Sequence, residues 1–278
     1  MDSNNGLHEF LIQMDNRRVA AACGLAAIPD RRTFDRRLKN ISTDIKERIA
    51  AMGKLFVIEK LVDPYIVAVD STLLEAKGHV WHKSSMKKGV VPRSGIDTDA
   101  KWGFSHTRGW VFGYKLHLSA STGSLTVPLS ADFTTANTYD NQLYVSLVSA
   151  LPDGIRYISG DSGYDDHKLY DYSSNVLGID LVCPIERYES TSGNRLELMH
   201  FYESVIGQAI YRWRSISVEP LIEHIKSVFR IDPLPVRGYL KAAAVVLLSV
   251  LLYQLMVYYN CITGKTNPKS IKYMIGSY

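Results

Sequence analysis

The chain has 278 residues, 46% hydrophobic and 22% charged, with a net charge of +4; these are ordinary globular values, and the length suffices for one large domain with a substantial core. The three cysteines, Cys23, Cys183 and Cys261, are far apart and in no Cys-x-x-Cys pairing, so they read as buried thiols in a reducing compartment and exclude a disulfide framework or zinc site. The mild positive charge leaves a nucleic-acid partner open, and its distribution matters more than its total.

The N-terminus lacks the basic and apolar regions of a signal peptide, and the cytoplasm is the expected location. Residues 1 to 62 read as a small, basic, helical region. A first helix is expected from about Leu7 to Ala22, then a break at Gly24. A second follows Pro29 and Asp30, with Asp30 as its cap and Phe34 and Leu38 on one face, leaving the arginines outside. Such an arginine-rich pair is either a DNA-reading element, or the remnant of one, or a solvated helix face.

At Pro64 the pattern switches to strands, expected at Tyr65 to Val69, Trp110 to Ser119 and Leu125 to Leu129, with Thr122-Gly123 turning the last two into a hairpin. A helix over Asn137 to Leu151, a strand at Arg156 to Ser159, a helix over 167–177 and a strand at Ile179 to Cys183 follow. Two helices, 211–230 and 239–259, end the pattern. Three antiparallel strands and then alternating helices and strands predict an α/β domain over residues 63 to 278, with a mixed five-stranded sheet flanked by helices. Residues 242–259 carry no charge and just reach membrane-spanning length. Ser249 and Gln254 interrupt them, and basic residues flank them on one side only, so a buried core helix is expected and no membrane.

Two of the short β-branched runs end in carboxylates, Asp70 and Asp161, and Glu219 lies on a predicted helix. Singly, each has an ordinary reading: Asp70 and Asp161 as turn formers, Glu219 as an exposed helix residue with Glu223 as a rival four positions on. Together they form an all-oxygen donor set with no Cys or His shell. That set suits Mg²⁺ or Mn²⁺ and is the inventory of a two-metal phosphoryl-transfer site.

Residues 77 to 108 hold seven basic side chains, Lys83, Lys87 and Lys88 among them, against Asp97 and Asp99, a local excess of +5. The stretch reads either as a loop gripping DNA phosphates, with Trp81 and Trp102 available to stack on bases, or as a solvated loop over two buried tryptophans. His79, His82 and His106 lack partners at zinc spacing. In the run Phe112 to His117, alternation puts Lys115 and His117 on one face, either toward a scissile phosphate or on the outer side of an edge strand. Asn137 and Asp140 read as a helix start.

Val69-Asp70-Ser71-Thr72, the partial motif Thr98-Asp99-Ala100, the run Phe112 to His117, Gly160-Asp161-Ser162-Gly163-Tyr164-Asp165, and Val218-Glu219 with Lys226 occur in this order over residues 64 to about 260. In that combination the chain resembles the DDE transposases of prokaryotic insertion sequences, in the branch whose last helix bears a Tyr-Arg-Glu-Lys signature. The resemblance implies a ribonuclease-H-like fold and cleavage and joining of transposon ends to target double-stranded DNA. It further implies a homo-oligomer in a synaptic complex and a catalytic, metal-binding triad of Asp70, Asp161 and Glu219 holding two Mg²⁺ or Mn²⁺ ions. Tyr211, Arg214 and Lys226 carry over as DNA contacts, and the basic loop and Lys115 with His117 complete the expected DNA-binding set. One departure stands out: the family has three residues between its Arg and Glu, and here there are four, 215–218, which makes Arg212 the alternative to Arg214. Lys226 keeps its place seven positions beyond Glu219, two helical turns along the same face. The competing readings are a ribonuclease-H-like nuclease without strand transfer and a catalytically inactive DNA-binding remnant.

Overall fold

The computed structural model describes residues 4–13, 16–91, 93–185 and 194–275. The single helix expected near the N-terminus is two, α1 (Asn4–Ile12) and α2 (Arg17–Ala22). The Asp30 carboxylate accepts from the Arg32 amide at 2.8 Å and so starts α3 (Arg31–Asn40), the arginine-rich helix. It is followed by α4 (Ser42–Ile58), whose Ile45, Ile49 and Phe56 are fully buried, an apolar stripe at helical spacing. These side chains enter the same core as the sheet.

The sheet is built from β1 (Ile66–Glu75), β2 (Lys101–Ser105), β3 (Gly109–Ser121), β4 (Pro128–Thr135), β5 (Tyr157–Ser159) and β6 (Asp180–Val182), with α5 (Lys83–Lys87) between the first two. β1 runs antiparallel to β3, Asp70 opposite Leu118, while β2 and β4 share the other edge of β3. On its far side β1 pairs in parallel with β5, and β5 with β6. Six strands replace the expected five, because Lys101–Ser105 pairs with the start of β3 instead of lying in a loop. The third expected strand also shifts: Ser121 bonds back to Leu125 and Val127, so residues 122–127 form the connection and β4 starts at Pro128.

β1 continues well past Val69 because β3 pairs with it as far as Glu75, and tertiary pairing overrides the turn preference of Asp70 and Ser71. Its parallel neighbour stops earlier: β5 pairs only as far as Ala68. A notch therefore opens beside Asp70 at the carboxyl end of β5, the kind of place where open α/β sheets put their sites.

The helix expected over 137–151 is a 3-10 turn, Asp140–Leu143, leading into α6 (Tyr144–Val148). The remaining helices are α7 (His167–Asp171), which runs on as a π-helix to Leu177, then α8 (Asn194–Glu203), α9 (Val205–Ile216), α10 (Val218–Phe229), α11 (Tyr239–Ile262) and α12 (Lys272–Ile275). α10 and α11 cover the sheet face that carries Asp70: Lys226 reaches Thr72, and the Tyr239 hydroxyl donates to the Phe133 carbonyl. On the opposite face the Ser130 hydroxyl donates to the Leu147 carbonyl of α6. α11 is long and apolar enough to cross a membrane by length and composition, and 56% of its most apolar window is buried within this fold. Gln254, an interruption in its sequence, is fully buried and donates to the Ile49 and Pro128 carbonyls, joining α11 to α4 and β4. This mixed sheet flanked by helices is ribonuclease-H-like.

The segment between β1 and β2 is built rather than loose. Trp81 donates to the Val90 carbonyl and Trp102 to the Trp81 carbonyl, both at about 2.9 Å or less. The two arms cross where a Cβ on Gly78 would fall 2.3 Å from the Gly95 carbonyl oxygen. Asp97 and Asp99 accept from the amides of Gly238 and Tyr239 at the start of α11, each at 2.9 Å.

Candidate active site

Asp70 projects from β1 into the notch. The chain leaves β5 through Gly160, where a Cβ would meet the Tyr164 ring at 2.7 Å, and the next residue is Asp161. The Asp161 carboxylate accepts from the Gly163 amide at 2.9 Å and caps a 3-10 turn, Ser162–Tyr164. Glu219 is the second residue of α10.

One guanidinium gathers all three. Arg214, on α9, places Nη2 3.1 Å from Asp70 Oδ1 and 3.8 Å from Asp161 Oδ2, and Nη1 2.8 Å from Glu219 Oε1. On a continuous helix, five positions turn a side chain by about 500°, roughly 140° off its starting face. The helix is not continuous: Ser217, with φ −119 and ψ −78, separates α9 from α10. The break absorbs the extra residue between Arg214 and Glu219 and turns the two toward each other, whereas Arg212 is exposed.

Burial is graded across the site, with side-chain exposures of 12% for Asp70, 37% for Asp161 and 43% for Glu219. Desolvation pushes the Asp70 pKa up to about 6, Arg214 opposing and Asp161 adding to the rise. For Arg214, burial acts to lower the pKa, and Asp70 and Asp161 outweigh it, so the guanidinium lies above its ordinary value and stays charged. Among the described residues no three Asp, Glu, His or Cys side chains already form a cluster that could hold a metal ion. The chemistry of the donor set nevertheless fits a hard divalent cation, since its members are all carboxylate oxygens drawn toward one positive charge.

Around this centre, Tyr164 lies fully buried under Gly160 with a hydroxyl that has no hydrogen-bond partner among the described residues. Tyr211 borders the site from α9, edge-on to Tyr202 at 5.3 Å. Lys226 is ion-paired with Glu223 at 2.9 Å and Asp232 at 3.4 Å, beside Thr72 on the strand that carries Asp70.

Lys115 and His117 do share a strand face, but it points away from solvent. Lys115 Nζ bonds the Thr138 carbonyl at 2.9 Å and Asp140 Oδ1 at 3.0 Å. His117 is fully buried, with Nε2 2.9 Å from the Thr134 hydroxyl, and burial pushes its pKa down to about 4. Its Nδ1 lies 3.4 Å from Asp140 without hydrogen-bond geometry, and the neutral ring makes no charge pair there. The expectation that this pair faces DNA is therefore corrected: α6 and the turn before it cover that face, and Asp140, read from sequence as a helix start, is the acid that binds Lys115. Arg195 and Asp165 are a second pair absent from the sequence reading, buried and 2.7 Å apart. Nothing in their spacing announces them.

In the basic segment, Lys83, Lys87 and Lys88 are exposed, and Lys83 Nζ sits 3.1 Å from the centroid of the Trp110 ring. Arg108 is engaged with Glu75 and Asp232, and Lys77 with the Pro235 carbonyl. The cysteines are all free thiols, as expected, but Cys23 is exposed, and only Cys183 is fully buried.

Comparison with curated proteins and with solved structures returns no match. The family model described as the transposase DDE domain matches residues 62–255, from the turn before β1 into α11, a span that contains all three carboxylates, Arg214 and Lys226. Covering well over half of the chain, that match establishes that the protein belongs to the DDE-domain transposase family.

Proposed function

We propose that this transposase cleaves transposon ends and joins them to target DNA by metal-assisted phosphoryl transfer, with Asp70, Asp161 and Glu219 as the catalytic, metal-binding carboxylates. The observation that carries the reading is the convergence of these three acids, from a strand, a turn and a helix far apart in sequence, on the Arg214 guanidinium within 2.8–3.8 Å. Asp70, Asp161 and Glu219 would hold two Mg²⁺ or Mn²⁺ ions, which when bound activate the attacking oxygen and stabilise the leaving 3′-oxygen.

The chain's own residues prepare that chemistry. Gly163 fixes one Asp161 oxygen through its amide, and the buried floor at Tyr164 and Val69 keeps water from beneath the carboxylates. Arg214 balances three negative charges that would otherwise repel, and a planar guanidinium suits a phosphate oxygen as well as it suits a carboxylate. Lys226, about 10.5 Å along α10 from Glu219, supplies a second cation in line with the cut strand. Tyr211 and the exposed Lys83, Lys87 and Lys88 extend the DNA-binding surface. The active form is a homo-oligomer that pairs two ends, working in the cytoplasm.

The test is cleavage of duplexes carrying the element's terminal repeats, in Mg²⁺, by Asp70→Ala, Asp161→Ala and Glu219→Ala. Each variant should lose cleavage and joining while retaining DNA binding, since phosphate contacts from Lys and Arg dominate affinity. Full cleavage by any one variant removes that residue from the triad, and cleavage without joining by the parent protein reduces the function to a nuclease.

A further inference from the structure

We infer that the tip of the β2–β3 hairpin is a second DNA-contact site, one whose rings touch bases and sugars beside the phosphate contacts of neighbouring lysines, at a distance from the cut. The inference rests on the DNA-processing function proposed above. Trp110 and Phe104 stand directly opposite each other in the hairpin and pack at 5.4 Å, yet both remain more than half exposed, at 58% and 54%. His106 packs edge-on against Phe104 at 5.5 Å. The result is a cluster of three rings at the surface, roofed on one side by the Lys83 ammonium.

Its place in the fold points to the occupant. Strand alternation puts Trp110 on the same sheet face as Leu118, the partner of Asp70, because the two are an even number of residues apart on β3. Eight residues at about 3.3 Å each set the ring cluster ~26 Å along the strand from the carboxylates. α10 and α11 cover the sheet between the two points, so a B-form duplex that reaches both passes outside these helices and, at 3.4 Å per base pair, spans at least about eight base pairs from the cleaved phosphate to the rings.

Charge complementarity agrees, since Lys83 lies against the Trp110 ring and Lys87 and Lys88 are exposed at the end of the same short helix. Trp81 and Trp102, which the sequence offers for stacking, have their indole N–H groups committed to backbone carbonyls within the segment. Trp110 has no such bond among the described residues and is more than half exposed. Apolar rings set among lysines are what sequence-tolerant duplex contacts use: wedging between base steps or packing on sugars for the rings, counterion release for the ammonium groups.

The experiment compares the parent protein with Trp110→Ala, Phe104→Ala and the conservative Trp110→Phe, measuring binding to a long labelled end duplex by anisotropy over a range of salt. Both residues are exposed, so thermal unfolding should be close to that of the parent. Each alanine variant should weaken binding about tenfold, the lower range for burying one aromatic side chain against a partner. The slope of log K against log salt should not change, and Trp110→Phe should recover most of the loss. On duplexes trimmed to a few base pairs either side of the cut, the parent and Trp110→Ala should bind alike.

Equal binding of Trp110→Ala and parent on the long duplex overturns the inference while leaving the carboxylate chemistry intact. So does a loss that appears as a reduced salt slope, which would make the effect one of phosphate contacts. A loss on light scattering of an oligomer that the parent forms would instead assign the rings to a second copy of the chain. Failure of the parent to bind any DNA would remove the proposed function, and this site with it.

Discussion

Asp70→Asn isolates the cost of placing a carboxylate inside a sheet. Asparagine keeps the size of the side chain and an oxygen for the Ser71 amide and Arg214, but not the charge. The Asp70 pKa is raised from 3.8 to about 6, chiefly by desolvation, so the folded protein retains this proton at a pH where the unfolded chain has lost it. The stability that protonated Asp70 contributes is therefore complete below about pH 4 and is lost as pH rises through about 6. A displacement of about two pKa units at 1.36 kcal/mol each comes to ~3 kcal/mol at neutral pH. In EDTA, Asp70→Asn should be more stable than the parent by about that amount at pH 7 and nearly equal at pH 4. For a domain of this size the gain corresponds to a Tm higher by roughly 6–12 °C. Urea and thermal unfolding at several pH values measure it directly. A variant no more stable than the parent at pH 7, or a gap that does not close toward pH 4, would show that burial of Asp70 is fully offset by Arg214.

Arg214→Gln removes the charge shared by three carboxylates and should lower stability in EDTA by about 3 kcal/mol; added Mg²⁺ should restore much of it, and a loss that Mg²⁺ leaves untouched would argue against cation binding by these acids. Replacing Lys83, Lys87 and Lys88 together by Ala should weaken DNA binding and flatten its salt dependence by up to about 0.9 per lost contact; an unchanged slope would make that helix merely solvated. Lys226→Ala should impair end cleavage more than folding or nonspecific binding, and normal cleavage would confine Lys226 to its ion pairs with Glu223 and Asp232. Gly113→Ala would drive a Cβ to 1.9 Å from the Leu74 carbonyl oxygen, so the β1–β3 pairing should fail and the protein should be recovered poorly or melt early; a variant with the parent's melting curve would contradict that close approach.

What was legible from the sequence is what depends on local pattern. Val67 to Val69, Ile158 and Leu181 are fully or nearly fully buried members of short apolar runs, and such runs announce central strands whichever fold surrounds them. The Asp30 cap and the apolar α11 were readable for the same reason. Features set by distant partners were not. Asp70 and Ser71 look like a strand end until β3 is present to pair with them, and Lys101–Ser105 becomes a strand only because the start of β3 lies beside it to pair with its backbone. Counting residues cast doubt on Arg214, because the count assumes an unbroken helix and the break at Ser217 is a tertiary event. The alternation at Lys115 and His117 correctly paired the two on one face, yet alternation cannot say which face the rest of the chain will cover.

The bonds from Asp97 and Asp99 to the first amides of α11 give this protein a built-in gauge. The amide protons of Gly238 and Tyr239 belong to a helix that runs through the core, but their acceptors belong to the basic segment between β1 and β2. Hydrogen exchange at those two positions thus follows the fastening of the segment, with no label placed within it. If the lysines of that segment take up DNA phosphates as proposed, slower exchange at Gly238 and Tyr239 on adding DNA would mark a clamp that tightens, and faster exchange one that lets go.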